Sequence, residues 1–210
     1  QWAQKHALPI VSATKKIARH ICINETVDGL RSEPVFDQGL LVADCTSCLF
    51  TEEIDSRIDI CYASGQKIFS FSGFSIIIIR KELLEKEDGC DDFASDIGHY
   101  AALTSKAVTP PLAGMLLLHH FLQWLSDNGG VTWLADRTKQ RAEILYKILQ
   151  ELPVKLVDSD RRSLTSLVFH ANSQEISNLL NDRFNAAQIQ YYHGHSAVGG
   201  FRLMNLPGLS

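Results

Sequence analysis

Two residues carry most of the chemistry this sequence offers, Asp44 and Lys67. Each follows a short β-like run: Gly39–Ala43 leads to the carboxylate, and Ile58–Tyr62 leads to the amine. In an open α/β sheet, ligands bind beyond the carboxyl ends of parallel strands. A carboxylate and an amine presented there could grip the two ends of one flat cofactor. The plainer account of the same pair is a strand-end Asp that caps a turn and a Lys in solvent.

Other groups invite the same weighing. The segment His193–Arg202 holds three glycines, two histidines and an arginine, the makings of a tight, anion-friendly loop or of a simple surface turn. Arginine's planar fork matches a carboxylate with two parallel hydrogen bonds. Ala63-Ser64-Gly65-Gln66 puts small residues just ahead of Lys67, where backbone can approach a ligand closely. Asn24-Glu25-Thr26 reads as a polar strand-end loop, with Asp28-Gly29 as its turn signal. Cys45-x-x-Cys48 has the spacing of a zinc or redox pair, but Cys61 and Cys90 supply no second such pair. The expected state is two reduced thiols beside a buried strand end. An odd count of five cysteines without framework spacing also argues against a disulfide scaffold. His119 and His120 are adjacent in an apolar helical run, where neighbours point about 100° apart. They read as structural or surface histidines, not as a chelating pair.

These groups must be positioned by strands and helices. Segments 8–12, 19–23, 39–43, 58–62 and 74–79 read as strands, the last three as continuous apolar runs of the kind buried on both faces. Residues 80–86 read as a charged helical stub, followed by an acidic loop over 87–92. Thr109-Pro110-Pro111 opens a helix whose Met115, Leu118, Leu122 and Leu125 recur at helical spacing, and Gly129-Gly130 ends it. A second helix is expected over 131–152, with Val131, Leu134, Leu145, Ile148, Leu149 and Leu152 on its apolar face. Strands over 154–157 and 166–170 and a helix over 174–181 suggest a small α+β unit. The expected architecture is α/β, with one domain over 1–130 and a smaller one over 131–210.

Composition narrows the classes. Hydrophobic residues make up 45% and charged residues 21% of 210, an ordinary soluble balance with a formal charge of −4. No basic run points to nucleic acid. The longest apolar stretches, Phe74–Ile79 and Pro110–Leu118, fall short of the roughly 18 residues a membrane helix needs. Residue 1 is Gln and residues 7–12 already read as mid-fold sequence, so the natural start is expected upstream, with room for a transit peptide.

In order along the chain, the motifs resemble those of the phosphoserine aminotransferases, fold-type I pyridoxal phosphate enzymes of the class V aminotransferase group. Asn24-Glu25-Thr26 is similar to that family's NET triplet, and LLVADCTS to its VVADxSS strand. YASGQKIFSFSGFSIIIIRKELL resembles YAGAQKNxGPxGLTVVIVREDLL. VTPP with FLQWLSDNGGV resembles NTPP with WLKEQGGV, and GHSAVGGFR resembles GHRxVGGMR. The resemblance runs over nearly the whole chain, which looks like the second half of the family's fold.

The resemblance implies roles residue by residue. Lys67 matches the lysine that carries pyridoxal phosphate as an internal aldimine, and Asp44 the acid facing its pyridine nitrogen. Thr26 matches a threonine at the cofactor ring, and Gln66 a residue at its phosphate. Thr109 matches a threonine offered to the neighbouring subunit of a homodimer. His195, Ser196 and Arg202 match the substrate-binding loop, with Arg202 taking the α-carboxylate. The implied activity is transfer of an amino group between phosphoserine or glutamate and 2-oxoglutarate in cytoplasmic serine biosynthesis. The alternatives are a truncated, non-catalytic homologue or a related class V enzyme with another amino donor. Departures from the pattern stand at Val108, Ile68 and Ser196, where the family has Asn, Asn and Arg.

Overall fold

The computed structural model describes residues 18–36, 39–85, 96–157, 160–194 and 199–207. The expected strand over 8–12, the acidic loop, and His195 and Ser196 lie outside the described residues.

A first sheet has the order β1-β4-β5-β6, from Ala18–Cys22, Leu40–Asp44, Ile60–Ser64 and Ser75–Ile79. β1, β4 and β5 are parallel, and β6 joins antiparallel. Between β1 and β4, Asn24–Glu25 (β2) and Leu30–Arg31 (β3) form a small antiparallel ribbon. Its turn depends on Gly29, at φ +69°, where an added Cβ would lie 2.8 Å from the Val168 side chain.

α1 (Lys81–Leu84) and α2 (Ile97–Ala102) are short. α3 (Leu112–Asp127) and α4 (Gly130–Gln150) follow, joined at Gly129, whose φ of 105° closes α3 in the left-handed region. A second, antiparallel sheet has the order β7-β8-β10-β9. Its strands are Val154–Leu156, Ser166–Ala171, Phe201–Met204 and Tyr192–His193, with α5 (Gln174–Ala186) between β8 and β9. The Ser173 hydroxyl caps α5 by accepting from Ile176 N.

Burial corrects several expectations. β4 and β5 are each buried on one face only: Leu41, Ala43, Cys61 and Ala63 are covered, while Leu40, Val42, Ile60 and Tyr62 are half-buried. β6 is not a buried strand either. Among the described residues it lies at the edge of the sheet, and Ile77 and Ile78 are each about half exposed, at 51% and 50%. On α3 the face turned to the core holds Gly114, Leu118, Phe121 and Leu125, whereas Met115 and Leu122 are exposed. α3 is apolar nearly all round, so its periodicity does not select a face. On α4, Leu134, Thr138, Ala142 and Leu149 are buried and Ile148 is exposed, because the helix lies with its Thr138 side inward.

Each sheet has its own core. The first gathers Leu41, Ala43, Cys61, Ala63 and Phe69 under Leu118 and Phe121. The second gathers Leu167, Phe169, Leu180, Phe184 and Phe201. A buried polar joint connects the two, built on Asn24 (2% exposed) and Thr165 (1% exposed). Asn24 Nδ2 donates to Ser47 Oγ at 2.6 Å and to Thr165 Oγ1 at 3.0 Å. Each hydroxyl gives its own proton to main chain, Ser47 to Asn24 O and Thr165 to Ser47 O. Every member therefore has a partner, as burial demands.

Candidate active site

The three parallel strands end together, and the register sets Cys22, Asp44 and Tyr62 in one row. Asp44 Oδ1 accepts from Thr46 N at 2.9 Å, so the carboxylate does cap the turn that follows β4. Thr46 Oγ1 in turn accepts from Ser64 N at 3.3 Å, which ties the end of β4 to the end of β5.

From Ser64 the chain leaves β5 in a single 3-10 turn, Gly65–Lys67. Gly65 O accepts from Ile68, Phe69 and Ser70, while Gly65 N donates to Phe74 O at 2.7 Å. A Cβ at Gly65 would sit 2.6 Å from Ser70 Cβ, so the turn has no room for a larger residue. This turn holds half-buried Lys67 at the same sheet end as Asp44. The Cys22 thiol registers both charges. Burial pushes it above the usual thiol range, Glu25 and Asp44 push the same way, and Lys67 pulls it down. Gln66 is exposed, its side-chain oxygen accepting from the Ser64 hydroxyl.

A second group comes from the far end of the chain. Arg202 on β10 donates from Nη1 to Thr26 O at 3.2 Å, and the Ser166 hydroxyl donates to the same oxygen. The Arg202 guanidinium carbon stands 5.8 Å from the centre of the Tyr192 ring. Its Nε is buried with no hydrogen-bond partner among the described residues, so one donor of the fork is uncommitted.

Not every expected residue joins. Thr109 lies in the exposed segment ahead of α3, without a hydrogen bond among the described residues, and Val108 beside it is 50% exposed. A cavity of about 320 Å³, lined by Ile23, Arg31, Glu52 and Asp160 among others, includes none of Asp44, Lys67 and Arg202. Cys45, Cys48 and Cys61 are free, buried thiols, and among the described residues no group of three or more His, Cys, Asp or Glu is arranged to hold a metal.

Sequence reasoning missed Cys22 and Tyr62, which stand in the row with Asp44. The alternation of β1 and β5 offered a signal, since a residue two places from another on a strand shares its face.

The family model "Aminotransferase class-V" matches residues 20–206. A protein of Pseudoalteromonas translucida (strain TAC 125) named phosphoserine aminotransferase is 32% identical over 188 residues, 87% of this chain and 52% of the relative. One of Buchnera aphidicola with the same name is 30% identical over the same shares. The chain thus spans about half the length of the curated relatives it matches. Among solved structures, phosphoserine aminotransferase from Bacillus circulans subsp. alkalophilus superposes with a TM-score of 0.80 at 24% identity, covering 88% of this chain and 53% of that one. The pyridoxal phosphate-bound enzyme from Trichomonas vaginalis gives 0.76 at 23%, covering 88% and 54%. These likenesses bear out the fold-type I α/β expectation.

Proposed function

The chain belongs to the class V aminotransferase family, and on that premise we propose that it forms part of a pyridoxal phosphate-dependent phosphoserine:2-oxoglutarate aminotransferase. One observation carries the reading. Asp44, the last residue of β4, and Lys67, in the turn that follows β5, stand at the same end of these parallel strands. The donor set fits the cofactor and its substrate: a carboxylate for the pyridine nitrogen, an amine for the aldehyde, and a guanidinium whose Nε has no hydrogen-bond partner among the described residues.

When bound, pyridoxal phosphate supplies an electron sink for charge that develops at the substrate Cα. The rest falls to this chain. Asp44 holds a proton on the pyridine nitrogen by charge pairing. Lys67 holds the cofactor through its amine and, once released, takes the proton from the substrate Cα. Arg202 takes the substrate α-carboxylate, using the edge not spent on Thr26 O. Thr26 and Gln66 serve the cofactor ring and phosphate, and His195 and Ser196 complete the substrate loop. Thr109 serves the partner subunit of a homodimer, which fits its exposure. In this reading, residues 1–130 belong to the larger cofactor-binding domain and 131–210 to the smaller one. The setting is cytoplasmic serine biosynthesis. Among the described residues no helix is long and apolar enough to cross a membrane.

A second reading is favoured by Ser196 and Val108, which stand where the resemblance expects Arg and Asn. It takes the chain for a class V enzyme with another amino donor, or for a non-catalytic homologue.

The test is to add pyridoxal phosphate to the protein, reduce with borohydride and map the adduct by mass spectrometry. The expected result is a single label on Lys67. A label on another lysine, or spread over many, overturns the assignment.

A further inference from the structure

We propose that Tyr192 is a positioning residue for substrate binding: its ring holds the Arg202 guanidinium in the orientation that meets the substrate α-carboxylate. The proposal rests on the reading of Arg202 as the group that takes that carboxylate.

Strand register brings the two side chains together. β10 lies between β8 and β9, and Arg202 on β10 stands directly opposite Tyr192 on β9. Residues opposite each other in an antiparallel pair share a face, with Cβ atoms about 4.5–5.5 Å apart. The Arg202 guanidinium carbon accordingly lies over the Tyr192 ring, 5.8 Å from its centre. At that range a cation is drawn to the ring's negative face.

The contact supplies a restraint that Arg202 otherwise lacks. Its Nη1 donates to Thr26 O at 3.2 Å, and among the described residues its Nε has no hydrogen-bond partner. One hydrogen bond leaves a planar group free to swing about the bonded nitrogen. The ring opposes that swing and consumes no N–H donor. A point charge would need only proximity, but a two-pronged bond to a carboxylate needs the plane of the fork set in advance.

Tyr192 is placed by the strand and not by its own side chain. Side chains alternate along a strand, so the residues on either side of Tyr192 point to the other face. Those two, Tyr191 and His193, lie against buried Phe201, with ring centres 5.7 and 6.3 Å away. The Tyr191 hydroxyl donates to Asn181 Oδ1 at 2.9 Å, and Gly194 N donates to Gly200 O at 2.8 Å just beyond the strand pair. Tyr192 itself is 55% exposed and stands outside the second core. Its substitution therefore leaves β9 in place.

The experiment compares the intact protein as wild type, Tyr192→Phe and Tyr192→Leu. Phenylalanine keeps the aromatic face, and leucine keeps apolar bulk without it. With glutamate and phosphoserine as donors, Tyr192→Leu is expected to raise KM about two- to fivefold at nearly unchanged kcat, and Tyr192→Phe to stay close to wild type. Borohydride labelling of Lys67 should be the same in all three. Nitrogen NMR without substrate gives a readout independent of turnover. The Arg202 Nε–H resonance should carry a ring-current shift that survives in Tyr192→Phe and vanishes in Tyr192→Leu. An unchanged KM in Tyr192→Leu overturns the proposal. So do a loss confined to kcat, a rise in KM shared equally by Tyr192→Phe, and a resonance that neither substitution moves. If the wild-type protein takes no label at Lys67 and transfers no amino group, the reading of the site itself fails and this proposal falls with it.

Discussion

Arg202 reaches across 176 residues of sequence to donate to the main-chain oxygen of Thr26, at 3.2 Å. The bond spends one edge of the guanidinium, and among the described residues Nε has no hydrogen-bond partner. It also sets the arginine beside the turn that follows β2.

This pairing makes Arg202→Lys a sharp test of substrate binding. Lysine keeps the charge but is a point donor without the planar fork. One charge-assisted hydrogen bond is worth about 1.5–3 kcal/mol, so kcat/KM for amino-acid substrates should fall by about ten- to a hundredfold. Steady-state kinetics check this, with borohydride labelling of Lys67 as the control for an intact cofactor site.

The joint between the two cores predicts an unusual order of severity at Asn24. Both hydroxyls that accept from its amide have committed their own protons to main chain. Asn24→Ala leaves two buried oxygens each short of a partner and should cost about 2–4 kcal/mol. Asn24→Asp faces the same oxygens with a buried carboxylate that has no proton to give, and should cost more. Urea denaturation measures both. An aspartate variant as stable as the alanine one would contradict this account of the network.

Ser196 predicts substrate choice. A phosphate dianion must shed water to bind, and a bidentate arginine offsets that cost where one neutral hydroxyl does not. In the intact enzyme, Ser196→Arg should raise kcat/KM for phosphoserine by about ten- to a hundredfold and change that for glutamate little. Kinetics with both donors decide it. No gain with phosphoserine would show that its phosphate is read elsewhere.

Tyr146 predicts a limit on the alkaline side. Its hydroxyl donates to Ser163 O at 2.7 Å, and burial pushes the phenol up to about 12. An unfolded phenol titrates near 10. The folded state thus favours the neutral form, and the stability this gives is whole below about pH 10 and lost as pH rises toward about 12. Thermal unfolding followed from pH 9 to 12 should show a steeper decline in wild type than in Tyr146→Phe.

The sequence by itself determined what is local. β4 and β5 run into Asp44 and toward Lys67 as the apolar runs predict, because strand-forming runs and strand-end loops are encoded within a few positions. Gly29, Gly65 and Gly129 mark turns or helix ends that their neighbours already announce, and the collinear motifs were enough to suggest the family. Tertiary structure decided what depends on partners distant in the chain. α3 is apolar on every side, so only packing against the first sheet could select Leu118 and Phe121 over Met115 and Leu122. Edge placement exposes Ile77 and Ile78 in a run that reads as fully buried. The row of Cys22, Asp44 and Tyr62, and the bond from Arg202 to Thr26, exist only once register and sheet order are set. A hydrogen bond needs its two atoms within about 3 Å, and for residues this far apart in sequence only the assembled fold brings them there.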